Sequence, residues 1–197
     1  MTPFTTVTAS VASLRPANTD TDIIFPARFL VITDKIGLGR YTFHDRPDLA
    51  LLSGTSILIA GENFGCGSSR EQAVWALADV GIRVIVAPSF GEIFRSNCFK
   101  TGVLPIELEA DQVERLHLIA QSGAAVTADL TMQQIVMPDG SFIAFTIEPA
   151  RRAALLAGLD EIADIHNRFA AAIATFETAQ RRTGPWLWPP QESPAHV

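Results

Sequence analysis

Gly61-Glu62-Asn63-Phe64-Gly65-Cys66-Gly67-Ser68-Ser69-Arg70-Glu71-Gln72 joins an apolar run, Ile57-Leu58-Ile59-Ala60, to the helix formers Ala73-Val74-Trp75-Ala76-Leu77-Ala78. Four apolar residues of that kind suit a buried strand, so the stretch reads as strand, glycine loop, helix. Backbone N–H groups at a helix N-terminus lack intrahelical partners and the macrodipole is positive there, which favours a bound carboxylate or phosphate. Arg70 adds a planar fork matched to a carboxylate. Ser68-x-x-Glu71 and Ser69-x-x-Gln72 also fit the capping-box spacing, and capping alone would account for both serines. It does not account for three glycines, Gly61, Gly65 and Gly67, flanking an arginine in the first turn.

Working outward, residues 56–60 predict a strand, 71–80 a helix, 82–87 a second strand and 90–99 a second helix, with Gly102 as its stop signal. Val103-Leu104-Pro105-Ile106-Glu107-Leu108 reads as a peripheral strand, because Pro105 has no N–H for a ladder. A helix over 111–121 precedes three alternating segments, 125–130, 133–137 and 141–147, with Pro138-Asp139-Gly140 as the turn between the last two. From Pro149 the pattern is helical to about Arg182, broken near Gly158-Leu159-Asp160, and the tail with Trp186, Trp188, Pro189 and Pro190 cannot stay helical. The division is therefore a mixed α/β domain over 1–148 and a helical extension with a Pro/Trp tail over 149–197. Residues 33–47 show no periodicity and read as a mobile surface loop, and Asn18-Thr19-Asp20-Thr21-Asp22 reads as a polar turn.

Composition narrows the function. With 197 residues and 48% hydrophobic content the chain has ample material for a core. A net charge of −6 argues against nucleic acid as partner, and no apolar stretch reaches membrane-spanning length or resembles a signal peptide, so the expected location is the cytoplasm. Cys66 and Cys98 are the two cysteines, too few for a disulfide framework and without a nearby histidine, so no metal site is expected within this chain. Cys66 lies in the anion loop, where a small residue is what the tight turn requires; a nucleophile is the less favoured reading. His44 is the one histidine singled out as a candidate substrate contact.

Three segments together carry a resemblance: Asn18 to Leu30, with Asp20-Thr21-Asp22-Ile23-Ile24-Phe25-Pro26; Glu62 to Glu71; and Ala87 to Ile106, with Phe94-Arg95-Ser96-Asn97-Cys98-Phe99. In order and separation they resemble the swivelling domain of the aconitase superfamily, as found in the bacterial small subunits of 3-isopropylmalate dehydratase, over about Val11 to Glu177. The resemblance implies a three-layer β/β/α swivelling domain. It implies a hydro-lyase of leucine biosynthesis that converts 2-isopropylmalate to 3-isopropylmalate by dehydration and rehydration. It also implies a heterodimer with a large subunit that holds a [4Fe–4S] cluster.

By the same resemblance Ser68 is the base that removes the proton α to a carboxylate. Gly67, Ser69 and Arg70 hold a substrate carboxylate, and Asp22 belongs to the catalytic set, pairing with a histidine of the large subunit. Ile36 and Leu38, in the loop where such proteins read the variable substituent, are candidate contacts for an isopropyl group. Two departures bear on the substrate: Gln72-Ala73-Val74 stands where His-Ala-Pro is usual, and Asp45-Arg46-Pro47 where Asp-Trp-Arg is common. A related hydro-lyase acting on methylmalate or a homoaconitate-type diacid therefore stays open, as does a non-catalytic anion-binding module.

Overall fold

In the computed structural model, which describes residues 1–49 and 54–188, the chain builds a seven-stranded sheet in the order β4-β3-β2-β1-β5-β6-β7. The strands are β1 Thr6–Leu14, β2 Ile57–Ala60, β3 Val84–Ala87, β4 Leu104–Glu107, β5 Ala125–Asp129, β6 Gln134–Val136 and β7 Phe142–Ala144. Every residue of β2 and β3 is buried, as expected of parallel strands covered on both faces. The period of two sends Ile57, Ile59, Val84 and Val86 into one core and Leu58, Ala60, Ile85 and Ala87 into another. The first core is closed by the antiparallel strands, through Val126, Ile135 and Ile143, and by Val113 and Leu116 of α4 (Ala110–Ser122). The second lies under α2 (Glu71–Asp79) and α3 (Glu92–Thr101), through Ala73, Leu77, Phe94 and Cys98. Antiparallel strands, parallel strands and helices form the three layers that the resemblance implies.

The edge position of β4 agrees with the reading of Pro105, which faces Ile85 on one side and needs no second ladder. The strand absent from the sequence reading is β1. Its residues, TVTASVASL, intersperse threonine and serine with apolar side chains that are mostly small, yet it is the hinge of the sheet. It pairs parallel with β2, Val11 opposite Ile57 and Leu14 opposite Ala60, and antiparallel with β5, Thr6 opposite Asp129. Thr8 and Thr127 share a hydroxyl hydrogen bond of 2.8 Å on its exposed face. A strand half covered by a neighbouring ladder needs only β-branched residues and small ones, so its signal in hydropathy is weak.

Contacts divide the chain into one unit, Met1–Asp160, and a second, Glu161–Val197. Helix α5 (Pro149–Ala157) belongs to the first: Phe4 N–H donates to Leu155 C=O at 2.9 Å, and Leu155 is buried in the first core. The chain leaves α5 through Gly158 in the left-handed conformation, at the break read from Gly158-Leu159-Asp160. The second unit holds α6 (Glu161–Thr183) and a short 3-10 turn, Pro185–Leu187, with Arg181 stacked over the Trp188 ring at 3.9 Å. The tail from residue 189 lies outside the described residues. Among the described residues no helix is long and apolar enough to cross a membrane.

One buried titratable group ties α4 to β1. His117 is 4% exposed, and its Nδ1 lies 2.8 Å from Ser13 Oγ. Burial, with Arg15 nearby, pushes its pKa below the ordinary value of 6.5, against a smaller opposite pull from Glu114. A depressed pKa means that the folded chain binds fewer protons than the unfolded one once pH drops below about 6.5. Stability is then complete above that pH and declines as pH falls, by at most about 1.4 kcal/mol per pH unit. Thermal unfolding between pH 5 and 7.5 should show this decline, and His117→Gln, which keeps a polar partner for Ser13, should flatten it. Equal slopes in both proteins would remove His117 as the cause.

Candidate functional site

The three segments quoted from the sequence meet beyond the carboxyl ends of the parallel strands β1, β2 and β3. Residues 18–21 run beside residues 62–66 as a short parallel ladder: Asn18 N–H to Glu62 C=O at 2.8 Å, Gly65 N–H to Thr19 C=O at 2.8 Å, Thr21 N–H to Cys66 C=O at 3.0 Å. The third segment joins through Ser89, whose carbonyl accepts from Phe64 N–H at 3.1 Å and whose Oγ accepts from Asn63 N–H at 2.9 Å. Open α/β sheets bind ligands at such carboxyl ends, because loops there are free of ladder obligations while the strands hold them rigid.

Glycine is required inside this ladder. Gly65 has φ +73°, and a Cβ there would sit 2.1 Å from Cγ of Phe94. Gly67 has φ +89°, which turns the chain so that Ser68 and Ser69 emerge exposed while the Ser68 carbonyl accepts from Thr21 Oγ1 at 2.9 Å.

Helix α2 begins two residues later than a Ser68 capping box requires and one later than a Ser69 box. Arg70, in extended conformation, is the N-cap and makes no side-chain hydrogen bond to the helix, so neither serine caps it. The capping reading of Ser68 and Ser69 therefore fails, and both hydroxyls stand at a helix N-terminus that no side chain closes. The capping role falls instead to Asp20, whose Oδ1 accepts from Ile23 N–H at 2.8 Å and caps α1 (Thr21–Ile24).

Asp22, on α1, turns towards the loop: its Oδ1 accepts from Ala27 N–H at 3.2 Å and forms an ion pair with Nη1 of Arg70. The Arg70 side chain is 14% exposed and that of Asp22 51%. The Arg70 guanidinium lowers the Asp22 carboxyl below its ordinary pKa, with Ala27 N–H adding to the effect. The pair is thus intact above the ordinary carboxylate range and opens as pH falls through the lowered pKa of Asp22.

Leu38 and Ile36 part company. Leu38 is fully buried in the second core and anchors its loop, while Ile36 is 89% exposed. Phe43 is buried too, its N–H donating to Ile24 C=O at 2.9 Å, and Gly39 N–H donates to Asp79 Oδ2 at 2.8 Å. The segment read as a mobile loop is therefore tied to α1 and α2 at these points. His44 Nδ1 faces Arg28 and Asp45.

Cys66 is half-buried, and burial, with the Asp20 carboxylate nearby, raises its thiol pKa, the reverse of what a nucleophile needs. Cys98 is buried, and desolvation drives its thiol higher still. Two cysteines so placed do not fit an iron–sulfur cluster. Among the described residues no three His, Cys, Asp or Glu side chains gather as metal ligands. Thr19, Thr21, Ser89 and Phe94 lie in the stretches quoted from the sequence, but their part in shaping the loop shows only in the fold. Asn18 and Asn63, both at positive φ and joined by an amide hydrogen bond of 2.8 Å, were the available signal for a crossing of two turns.

Residues 52–111 match the model of the aconitase C-terminal domain family. The chain is 47% identical to the 3-isopropylmalate dehydratase small subunit of Rhodospirillum centenum, over 94% of this chain and 98% of that protein. It is 45% identical to the protein of the same name from Paramagnetospirillum magneticum, over 95% of this chain and 100% of that one. The crystal structure of 3-isopropylmalate dehydratase from Methanocaldococcus jannaschii is similar with a TM-score of 0.69 and 28% identity, covering 86% of this chain and 99% of that one.

Proposed function

The chain belongs to the family of 3-isopropylmalate dehydratase small subunits, hydro-lyase components of leucine biosynthesis, and from that premise we propose which of its residues act and how. Ser68 is the base. Its hydroxyl stands exposed at an uncapped helix N-terminus, behind two glycines at positive φ, where backbone dipoles favour an alkoxide. The proton α to a substrate carboxylate passes to the Ser68 Oγ alkoxide, the hydroxyl on the adjacent carbon takes a proton from the large-subunit histidine that pairs with Asp22 and departs as water, and the same transfers in reverse add water back with the two positions exchanged. Arg70, with Ser69 and the amide after Gly67, holds the carboxylate and stabilises charge that grows on it as the proton leaves. Asp22 fixes Arg70 in the free chain and belongs to the catalytic set in the complex.

The partner is a large subunit, and the complex is a cytoplasmic heterodimer. Among the described residues no ligand set fits the family's [4Fe–4S] cluster; the large subunit would hold it, and bound there it would supply Lewis acidity towards the substrate hydroxyl. Ile36, exposed on a loop whose Leu38 and Phe43 are locked in the core, reads the alkyl substituent. The observation that carries the reading is the register of α2, which frees both serines from capping and leaves them beside Arg70. The test is turnover of 2-isopropylmalate by the chain mixed anaerobically with its large subunit, followed by absorbance of the unsaturated acid, with methylmalate in parallel. Isopropylmalate is expected to turn over, and neither subunit alone is expected to be active. Turnover by this chain alone, or of methylmalate only, would overturn the assignment.

A further inference from the structure

The base of the loop after Leu30 is closed by contacts that the proposed chemistry does not use. Arg28 follows Ala27, whose N–H holds Asp22, and its guanidinium donates in parallel to both oxygens of Asp45, from Nη1 to Oδ2 at 2.6 Å and from Nη2 to Oδ1. His44 Nδ1 lies 3.1 Å from Arg28 Nη2 and 3.2 Å from Asp45 Oδ1. Beside them Phe29 stacks on Tyr41 at 4.3 Å between centroids, meets His44 edge-on at 5.0 Å and carries the Arg28 guanidinium at 4.6 Å. Between this cluster and the start of the loop the chain is open: Val31 is 85% and Ile36 89% exposed.

Both partners of the Arg28–Asp45 pair are about half exposed, 52% and 51%. Ion pairs in that setting add little to global stability, whereas a two-pronged fork adds fixed geometry. Resting on the reading of Ile36 as the contact for the substrate's alkyl group, we propose that Arg28 is a positioning residue. Its paired hydrogen bonds to Asp45 lock the base of the loop, residues 38–46, against the turn that carries Asp22. They thereby hold residues 31–37 in place to discriminate among alkyl substituents of hydroxy-diacid substrates. Lysine keeps the charge and loses the fork, and asparagine at 45 loses the charge and one acceptor, so each substitution loosens the base without emptying the core.

In the reconstituted complex, Arg28→Lys and Asp45→Asn are each expected to raise KM for isopropylmalate about fivefold to tenfold with kcat within about twofold, and to narrow the preference for isopropylmalate over methylmalate. The double variant should be no worse than either single one, since both remove the same interaction. Amide hydrogen exchange of residues 31–46 supplies a readout on the chain alone: it should quicken in both variants with the thermal midpoint unchanged. Unchanged exchange and unchanged KM would overturn the clamp. Quickened exchange with unchanged discrimination would overturn the loop's part in substrate choice, and the proposal with it, while leaving Ser68 and Arg70 untouched. Failure of the native complex to turn over isopropylmalate would instead strike the functional reading on which the proposal rests.

Discussion

Ser68→Ala in the reconstituted complex is expected to lower kcat by about three orders of magnitude, near the middle of the range for a general base and equal to about 4 kcal/mol of barrier. KM should change little, because the hydroxyl acts on the proton and the carboxylate contacts remain. The fold gives reason to expect a clean result. The Ser68 side chain is exposed, and its backbone is held from the carbonyl side by Thr21 Oγ1 at 2.9 Å, so alanine removes one oxygen and leaves the turn in place. Ser69→Ala is the matched control: it loses one hydrogen bond to a charged group, about 1.5–3 kcal/mol, and should act mainly through KM. A Ser68→Ala complex that kept more than about a tenth of native turnover would exclude the general-base role.

Arg70→Lys should cost about a hundredfold in kcat/KM, since a bidentate charge-assisted fork is replaced by a single mobile ammonium. Two interactions are lost at once. In the free chain the Arg70 guanidinium is 14% exposed and paired with Asp22, which is itself held by Ala27 N–H. Lysine weakens that pair and releases the carboxyl of Asp22, which the guanidinium lowers. The titration of Asp22, followed by NMR of its carboxyl carbon, should therefore move up towards the ordinary value in Arg70→Lys. The assay and the titration together separate a carboxylate-binding arginine from a purely structural one. A variant with the shifted titration and native kcat/KM would keep the ion pair and remove the substrate role.

The parts of the fold that could be read from residues are those whose signal is local. Buried β2 and β3 are unbroken apolar runs, Pro105 marks an edge, Gly102 and Gly158 end helices in the left-handed conformation, and Pro138-Asp139-Gly140 joins two antiparallel strands. What failed to show was whatever depends on a neighbour distant in sequence. The segment that became β1 is rich in threonine and serine and becomes a strand because β2 and β5 flank it. Leu38 and Ile36 look alike two residues apart, and only docking against the second core buries one and exposes the other.

The candidate site divides in the same way. Residues 61–72 were sufficient to name a strand, a glycine loop and a helix with two serines and an arginine at its start, because backbone preference and hydrophobic period act over a few residues. They were insufficient to say whether the serines cap that helix. Tertiary structure decided it: the ladder between residues 18–21 and 62–66, and the ring of Phe94 under Gly65, set where α2 begins, make Arg70 the N-cap, assign capping of α1 to Asp20 and turn Asp22 onto Arg70. Helix start, cap and ion pair are competing uses of the same few polar groups. Their local energies differ by about 1 kcal/mol or less, so long-range packing chooses among them.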